Sequence, residues 1–286
     1  MAWYACGCVF ANAPANWDEQ FETFRRFEHE ADYMVSWVDC FPKGAKAGRG
    51  QFHAAWYEHT QSDFSATLRP DHQDLPDTIL GLVPKSMMWR FLKPFNNRLG
   101  MRSVNAAKSF ASKKLGNEKM HHQSLVGFSF LLDYVPNWRN AYLPGGFIQY
   151  QSFVPKEHAR EVFGRQVEMQ QKAKLESFLG VMKRHRPDKF LFSHAVDGYS
   201  LALDFKVTRK NWTRLQDLCH SMNEIVLEAG GRFYFAKDST LRPSDVRRWL
   251  GPNLDLYFAL KKQLDPEGLL TSDLARRVQI TLEDAP

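Results

Sequence analysis

The residues of this 286-residue chain best placed to do chemistry are amides and a lysine that recur at alternate positions. Gln149 and Gln151 are two apart, so in a strand they share one face, while Ile148, Tyr150, Ser152 and Val154 take the other. Over 199–207 the apolar set Tyr199, Leu201, Leu203, Phe205 and Val207 alternates with Ser200, Ala202, Asp204 and Lys206. Lys183 follows Leu179 and Val181 at a single parity. Strands of one sheet would bring the amides, the lysine and a small-residue floor to one side, a pocket for a polar, hydrogen-bonding ligand. A solvated sheet face with ordinary glutamines is the open alternative. Metal chemistry is disfavoured. His121 and His122 are adjacent, neighbouring histidines rarely reach the same ion, and no carboxylate or cysteine cluster accompanies them. Cys6, Cys8, Cys40 and Cys219 include no C-x-x-C pair and read as free thiols of a reducing, cytoplasmic compartment.

The net charge of +6 is uneven. Between Lys85 and Lys119 nine basic residues face Glu118 alone, a local +8 that leaves −2 for the rest. A nucleic-acid binder would carry its basicity as a stripe across the domain, so that partner is excluded. In this basic segment Trp89, Phe91, Leu92 and Phe95 interleave with Arg90, Lys93 and Arg98, a composition suited to the surface of an anionic bilayer. We expect 84–120 to be flexible, helical near Ser86 to Asn96 and irregular beyond. Packing of the same aromatics onto the body of the domain is the alternative. No run of eighteen apolar residues predicts a transmembrane helix, and the N-terminus lacks a signal-peptide pattern. Any membrane association is then peripheral.

The elements that would position these residues are legible in the pattern. Asn16 with Glu19 forms a capping box for a helix carrying Phe21, Phe24 and Phe27. Strands follow at Tyr33 to Asp39 and Gln51 to His59, then loop chemistry over 60–83. From Phe147 the order is strand (to Val154), helix (Pro155 to Lys174), strand (Ser177 to Arg184), strand (Tyr199 to Val207), helix capped by Asn211, and strand (Arg232 to Lys237). The predicted fold class is α+β, an antiparallel sheet of ferredoxin-like β-α-β-β-α-β type flanked by helices, with a C-terminal helical tail. The tail begins with helices at Pro243 to Leu250 and Leu254 to Gln263. No internal repeat is visible as sequence similarity.

Four segments, in order, carry a resemblance: NWRNAYLPGGFIQYQSFVP (Asn137 to Pro155), GYSLALDFKV (Gly198 to Val207), GGRFYFAKDS (Gly230 to Ser239) and TSDLARRVQI (Thr271 to Ile280). Together with YMVSWVDCF and GRGQFH nearer the start, they resemble the decaprenylphosphoryl-ribose 2-oxidase family. Its wider kin, the aldonolactone and alditol oxidases, belong to the vanillyl-alcohol-oxidase superfamily. The resemblance implies a substrate-binding domain over 1–232 and a C-terminal segment over 233–286 that returns to an FAD-binding domain. No glycine-rich phosphate loop is present, so we expect the N-terminal FAD domain to be absent and FAD to need a complementary domain, upstream or on a separate chain.

By the same resemblance, Lys237 matches the catalytic lysine set against the flavin ring and the substrate's reacting carbon. Tyr234 matches an aromatic of the same strand on the cofactor and substrate side. Gln149, Gln151, Lys183, Ser200 and Trp37 match substrate-pocket positions. Ala202 stands where the family has cysteine, Ser200 where it has asparagine, and Ser129-Phe130-Leu131 where it has tyrosine-histidine-proline. These departures count against a decaprenyl-phosphate substrate and leave the fold untouched. The function implied is the substrate-binding part of an FAD-dependent oxidoreductase that oxidises a sugar-like, polyol or lipid-linked alcohol. A non-catalytic ligand-binding or membrane-surface module remains the alternative.

Overall fold

The computed structural model describes residues 6–57, 77–79, 83–115, 117–129, 136–237 and 239–285. Strand β1 (Cys6–Asn12) leads into helix α1 (Trp17–Phe27) and the hairpin-like pair β2 (Tyr33–Val38) and β3 (Gly50–Tyr57). A two-residue ladder follows, β4 (Thr78–Ile79) with β5 (Val83–Pro84). Next come the short helix α2 (Met88–Leu92), the long helix α3 (Arg98–Leu115), β6 (Lys119–Ser124) and α4 (Leu125–Ser129). The second half runs β7 (Phe147–Pro155), α5 (Lys156–Ala173), β8 (Leu179–His185), β9 (Gly198–Lys206), α6 (Trp212–Glu228) and β10 (Arg232–Phe233). Three helices close the chain: α7 (Pro243–Leu250), α8 (Pro252–Leu264) and α9 (Asp273–Arg277).

Eight strands form one sheet in the order β10-β7-β9-β8-β2-β3-β1-β6, each antiparallel to its neighbours. The α+β class and the β-α-β-β-α-β order from β7 to β10 are as expected. The structure adds a second instance of that order: β1, α1, β2, β3, α3, β6. The two units join along β2 and β8, with Val35 opposite Lys183 and Val38 opposite Gly180. The duplication lies in the topology and leaves no trace as sequence similarity.

Helix α1 shows why the local sequence folds as it does. Asn16 Oδ1 accepts from the Glu19 backbone N–H at 3.0 Å, and the Glu19 carboxylate reaches back to the Ala15 N–H at 2.8 Å, which satisfies donors that an open helix end would orphan. Its apolar stripe then crosses the seam between the units. Phe21 meets Phe163 and Tyr199 at ring distances of 6.4 and 4.9 Å, and Phe24 meets Phe52 at 4.8 Å. Each buried ring contributes about 2–3 kcal/mol of hydrophobic stabilisation. Helices α5 and α6 cover the same face, over Tyr199, Leu201, Leu203 and Phe205. The C-terminal helices join this core through Val246, Leu250 and Phe258.

Three expectations are corrected. The stretch after Asn96 is not irregular, because α3 is an 18-residue helix. Arg98 forks onto the buried carboxylate of Glu176 at 2.7 and 2.6 Å, and Asn105 donates to Asp39 and to the Phe178 carbonyl. The strand expected over Arg232 to Lys237 stops after Phe233, and Phe235–Lys237 is a 3-10 turn. Asn211 precedes α6 but makes no side-chain cap. Its Oδ1 accepts from the Thr208 backbone N–H and hydroxyl instead. Of the loop read over 60–83, residues 60–76 and 80–82 lie outside the described residues, as do the departure at 130–131 and residue 238. Among the described residues no helix is long and apolar enough to cross a membrane, and the buried Cys40 and Cys219 are free thiols.

Candidate functional site

Strand alternation carried through the observed register assigns the second face of the sheet. Gln149 lies opposite Asp204, Gln151 opposite Ala202, and Phe153 opposite Ser200. One strand further, Leu179, Val181 and Lys183 lie opposite Asp204, Ala202 and Ser200. The amides, Lys183 and the Ser200-Ala202-Asp204 floor therefore converge on one side, away from α1, α5 and α6.

Lys237 reaches this face from outside the strands. Its turn is closed by the Lys237 N–H to the Tyr234 carbonyl at 2.8 Å. Phe235 anchors the turn by packing on Trp249 at 4.7 Å and on Phe192 at 5.6 Å. From there Lys237 Nζ donates to Gln151 Oε1 at 2.6 Å and lies 5.8 Å from the centre of the Tyr234 ring. Gln151 Nε2 donates to Ser200 Oγ at 3.3 Å, and Ser200 Oγ lies 2.8 Å from His185 Nε2. Aromatic edges wall this corner, with Phe153 against His185 at 4.9 Å and His194 at 4.6 Å, and His194 against Tyr234 at 4.7 Å.

In the next row Gln149 Nε2 donates to Asp204 Oδ1 at 2.6 Å. Asp204 is buried, and its Oδ2 has no hydrogen-bond partner among the described residues. Burial pushes its carboxyl up to about 6, against the pull of the Gln149 hydrogen bond and the Lys237 charge. Burial holds the Lys237 ammonium below the usual lysine range, with the Lys183 charge adding to the effect and Asp204 opposing it. It also holds His185 down at about 4, so that imidazole is neutral near pH 7.

The expected site residues fall into three positions. Lys237, Tyr234, Gln149 and Gln151 come together. Lys183 is exposed at the rim, one strand from Ser200, whereas Ser200 is fully buried and lies beneath the face as a link between side chains. Trp37 shares the row of Val181, Ala202 and Gln151, but three strand spacings, about 14 Å, separate it from Gln151. It is buried under α3, with Lys108 Nζ 4.3 Å from its ring centre. Sequence reasoning missed His185 and His194. His185 shares the parity of Lys183, so the same alternation carried two residues further would have found it. His194, on the loop between β8 and β9, gives no such signal. His121 and His122 lie on β6 at the far edge of the sheet, and no group of three potential metal ligands occurs among the described residues.

The fold is thus an antiparallel α+β sheet with a lysine, amides and a buried carboxylate gathered on one face. Residues 147–278, from β7 through α9, match the family profile of D-arabinono-1,4-lactone oxidase. The chain is similar to decaprenylphosphoryl-beta-D-ribose oxidase of Mycolicibacterium smegmatis, at 32% identity over 257 residues, 88% of this chain and 52% of that protein. A shorter similarity, 37% identity over 81 residues, links it to an uncharacterized protein in the mprA 5' region of Streptomyces coelicolor, covering 28% of this chain and 21% of that one. The chain is therefore similar to the C-terminal part of an FAD-linked oxidase. It spans about half the length of the first of these relatives and about a fifth of the second is matched.

Proposed function

We propose that this chain is the substrate-binding part of an FAD-dependent oxidoreductase that oxidises a sugar-like or polyol alcohol by hydride transfer to flavin. The observation that carries the reading is the Lys237 ammonium, held 2.6 Å from Gln151 Oε1 beside a buried carboxylate with one oxygen unused. The residues fit the cofactor's ring: a half-buried cation next to an aromatic suits a heterocycle that gains negative charge on reduction. Lys237 and Tyr234 would hold that ring. When bound, FAD supplies the hydride acceptor. Lys237 stabilises the developing negative charge in a partly dry setting where such a charge counts for more than in water. Asp204, buried with Oδ2 unpartnered among the described residues, is the base for the proton that the substrate hydroxyl gives up once substrate displaces the side chains above it. Gln149 occupies the other carboxylate oxygen, and Lys183 at the rim binds the outer part of the substrate.

The partner in this proposal is an FAD-binding domain, upstream on the same polypeptide or on a separate chain, that holds the diphosphate and adenine. Residues 233–286 return to it. The support is an apolar stripe on α8, where Leu256, Leu260 and Leu264 are exposed at one-turn spacing, with Leu269 and Leu270 beyond. The proposal also places the protein at an anionic membrane surface that offers a lipid-linked substrate. Phe91, Phe95, Leu99 and Phe110 are exposed among Arg90, Lys93, Arg102, Lys113 and Lys114.

Reconstitution with an FAD-binding half, followed by anaerobic bleaching of the flavin with a panel of aldonolactones and sugar alcohols, tests the activity. Lys237→Met should retain flavin and slow bleaching about 10²–10³-fold. A variant within a few-fold of the parent would remove Lys237 from the chemistry. Substrate binding without bleaching in the parent would leave the non-catalytic ligand-binding module as the function.

A further inference from the structure

The hydrogen bonds that join Lys237, Gln151, Ser200 and His185 run in one direction for one tautomer of His185. A lysine ammonium only donates, so Gln151 turns its carbonyl oxygen to Lys237 and its amino group to Ser200 Oγ. Ser200 has a single O–H to give, and in the Nδ1–H tautomer of His185 the ring nitrogen at 2.8 Å, Nε2, takes it. That assignment requires a lone pair on Nε2, with the proton on Nδ1. The neutral state that burial imposes on His185 allows it. Every link then runs from donor to acceptor, outward from Lys237.

We propose that His185, acting through Ser200 and Gln151, is a positioning residue for Lys237. The two ends of a glutamine amide have nearly the same shape, so packing alone does not decide which one faces the ammonium. Flipped, Gln151 would set N–H groups against an ammonium, losing a charge-assisted hydrogen bond. Ser200 opposes the flip only while its own proton is committed elsewhere, and His185 supplies that commitment. The imidazole in turn is held by its strand and by the Phe153 ring at 4.9 Å. The other charged groups near Lys237, Asp204 and Lys183, act on its ammonium through space and leave the amide's orientation open.

The meaning of this role for catalysis rests on the function proposed above, but its test needs no flavin, so the two fail separately. Amine-reactive labelling of the full chain, read at Lys237 by peptide mass spectrometry over a range of pH, measures its free-amine fraction. The exposed Lys113 in the same sample calibrates the reagent. His185→Phe keeps a ring but removes the acceptor, Ser200→Ala removes the hydroxyl, and His185→Gln restores an acceptor near the Nε2 position. Losing the acceptor that favours the ammonium form lowers the pKa, and each unit is about tenfold in free amine. We expect H185F and S200A to label Lys237 about fivefold faster or more at neutral pH, Q151A at least as fast, and H185Q near the parent rate. Parent-like labelling in both H185F and S200A, with Q151A accelerated, would mean that Gln151 positions Lys237 unaided. Labelling of H185Q as fast as H185F would likewise overturn the proposal. Should H185F lose its near-ultraviolet circular dichroism, S200A and H185Q decide.

Discussion

Asp204 and His185 lie on one face, yet burial moves them in opposite directions along the pH axis. The Asp204 carboxyl, raised to about 6, binds its proton more tightly in the folded state. Its contribution to stability is present below the unfolded value of 3.8 and is lost as pH rises through about 6. His185, held at about 4 from an ordinary 6.5, contributes stability above 6.5 that is lost as pH falls toward 4. His53, likewise held at about 4 by burial, adds to the second trend. Between pH 4 and 6.5 the Asp204 slope opposes the two histidine slopes and offsets part of them, so the parent should lose stability toward acid. Asp204→Asn removes one of them. Its stability relative to the parent should improve by about 2–3 kcal/mol between acid and neutral pH, read by urea unfolding at both ends of that window. An unchanged difference between the two proteins would show that Asp204 titrates as an ordinary carboxylate. Much of this site was legible in the alternation of Gln149, Gln151, Lys183 and Asp204, because the strands keep strict parity. Lys237 was not, since a turn packed on Trp249 places it and parity has no hold on a turn.

Helix α3 shows where pattern reading fails for an element. Gly100, Ser103, Asn105, Ser109 and Ser112 weaken its helical signal, and the residues it buries, Asn105, Ser109 and Ser112, are polar. A docking face made of hydrogen-bonding groups gives no apolar stripe to find, so tertiary anchors such as Arg98 on Glu176 decide the conformation. Strand β6, Lys-Met-His-His-Gln-Ser, was missed for a related reason: its pairing with β1 makes it a strand, and its composition does not. The outward side of α3 remains basic and apolar, which gives the membrane proposal a measurable form. Each basic residue close to an anionic surface contributes about 1 kcal/mol. The protein should co-sediment with phosphatidylserine vesicles at low salt and leave them at high salt, and Arg90, Lys93 and Arg102 changed together to Gln should weaken the binding. Equal sedimentation with neutral and anionic vesicles, or none with either, would make this side an ordinary solvated surface.

At the scale of the molecule, the two β-α-β-β-α-β units are treated unequally. Over the second unit both helices lie on one face and leave the other open for the site. Over the first, α3 crosses to that other face and fills it above Trp37, so one unit carries the polar face while the other is packed on both sides. The seam between them pairs β2 with β8, residues far apart along the chain, whereas β7, β8 and β9 pair within a short stretch. Loop closure delays the distant pairing. In pulse-labelled hydrogen exchange during refolding, amides of β9 should gain protection before those of Val35 to Val38. Simultaneous protection would mean that the units nucleate together. Until the seam closes, both β2 and β8 are open sheet edges, and they are guarded differently. The edge of β8 carries Lys183 and Arg184, charges that deter a foreign strand. The edge of β2, Tyr-Met-Val-Ser-Trp-Val, carries none. A crowded refolding chain is therefore most vulnerable to capture by a sister chain at β2, where strand exchange would yield an intertwined dimer with an intact sheet in each half.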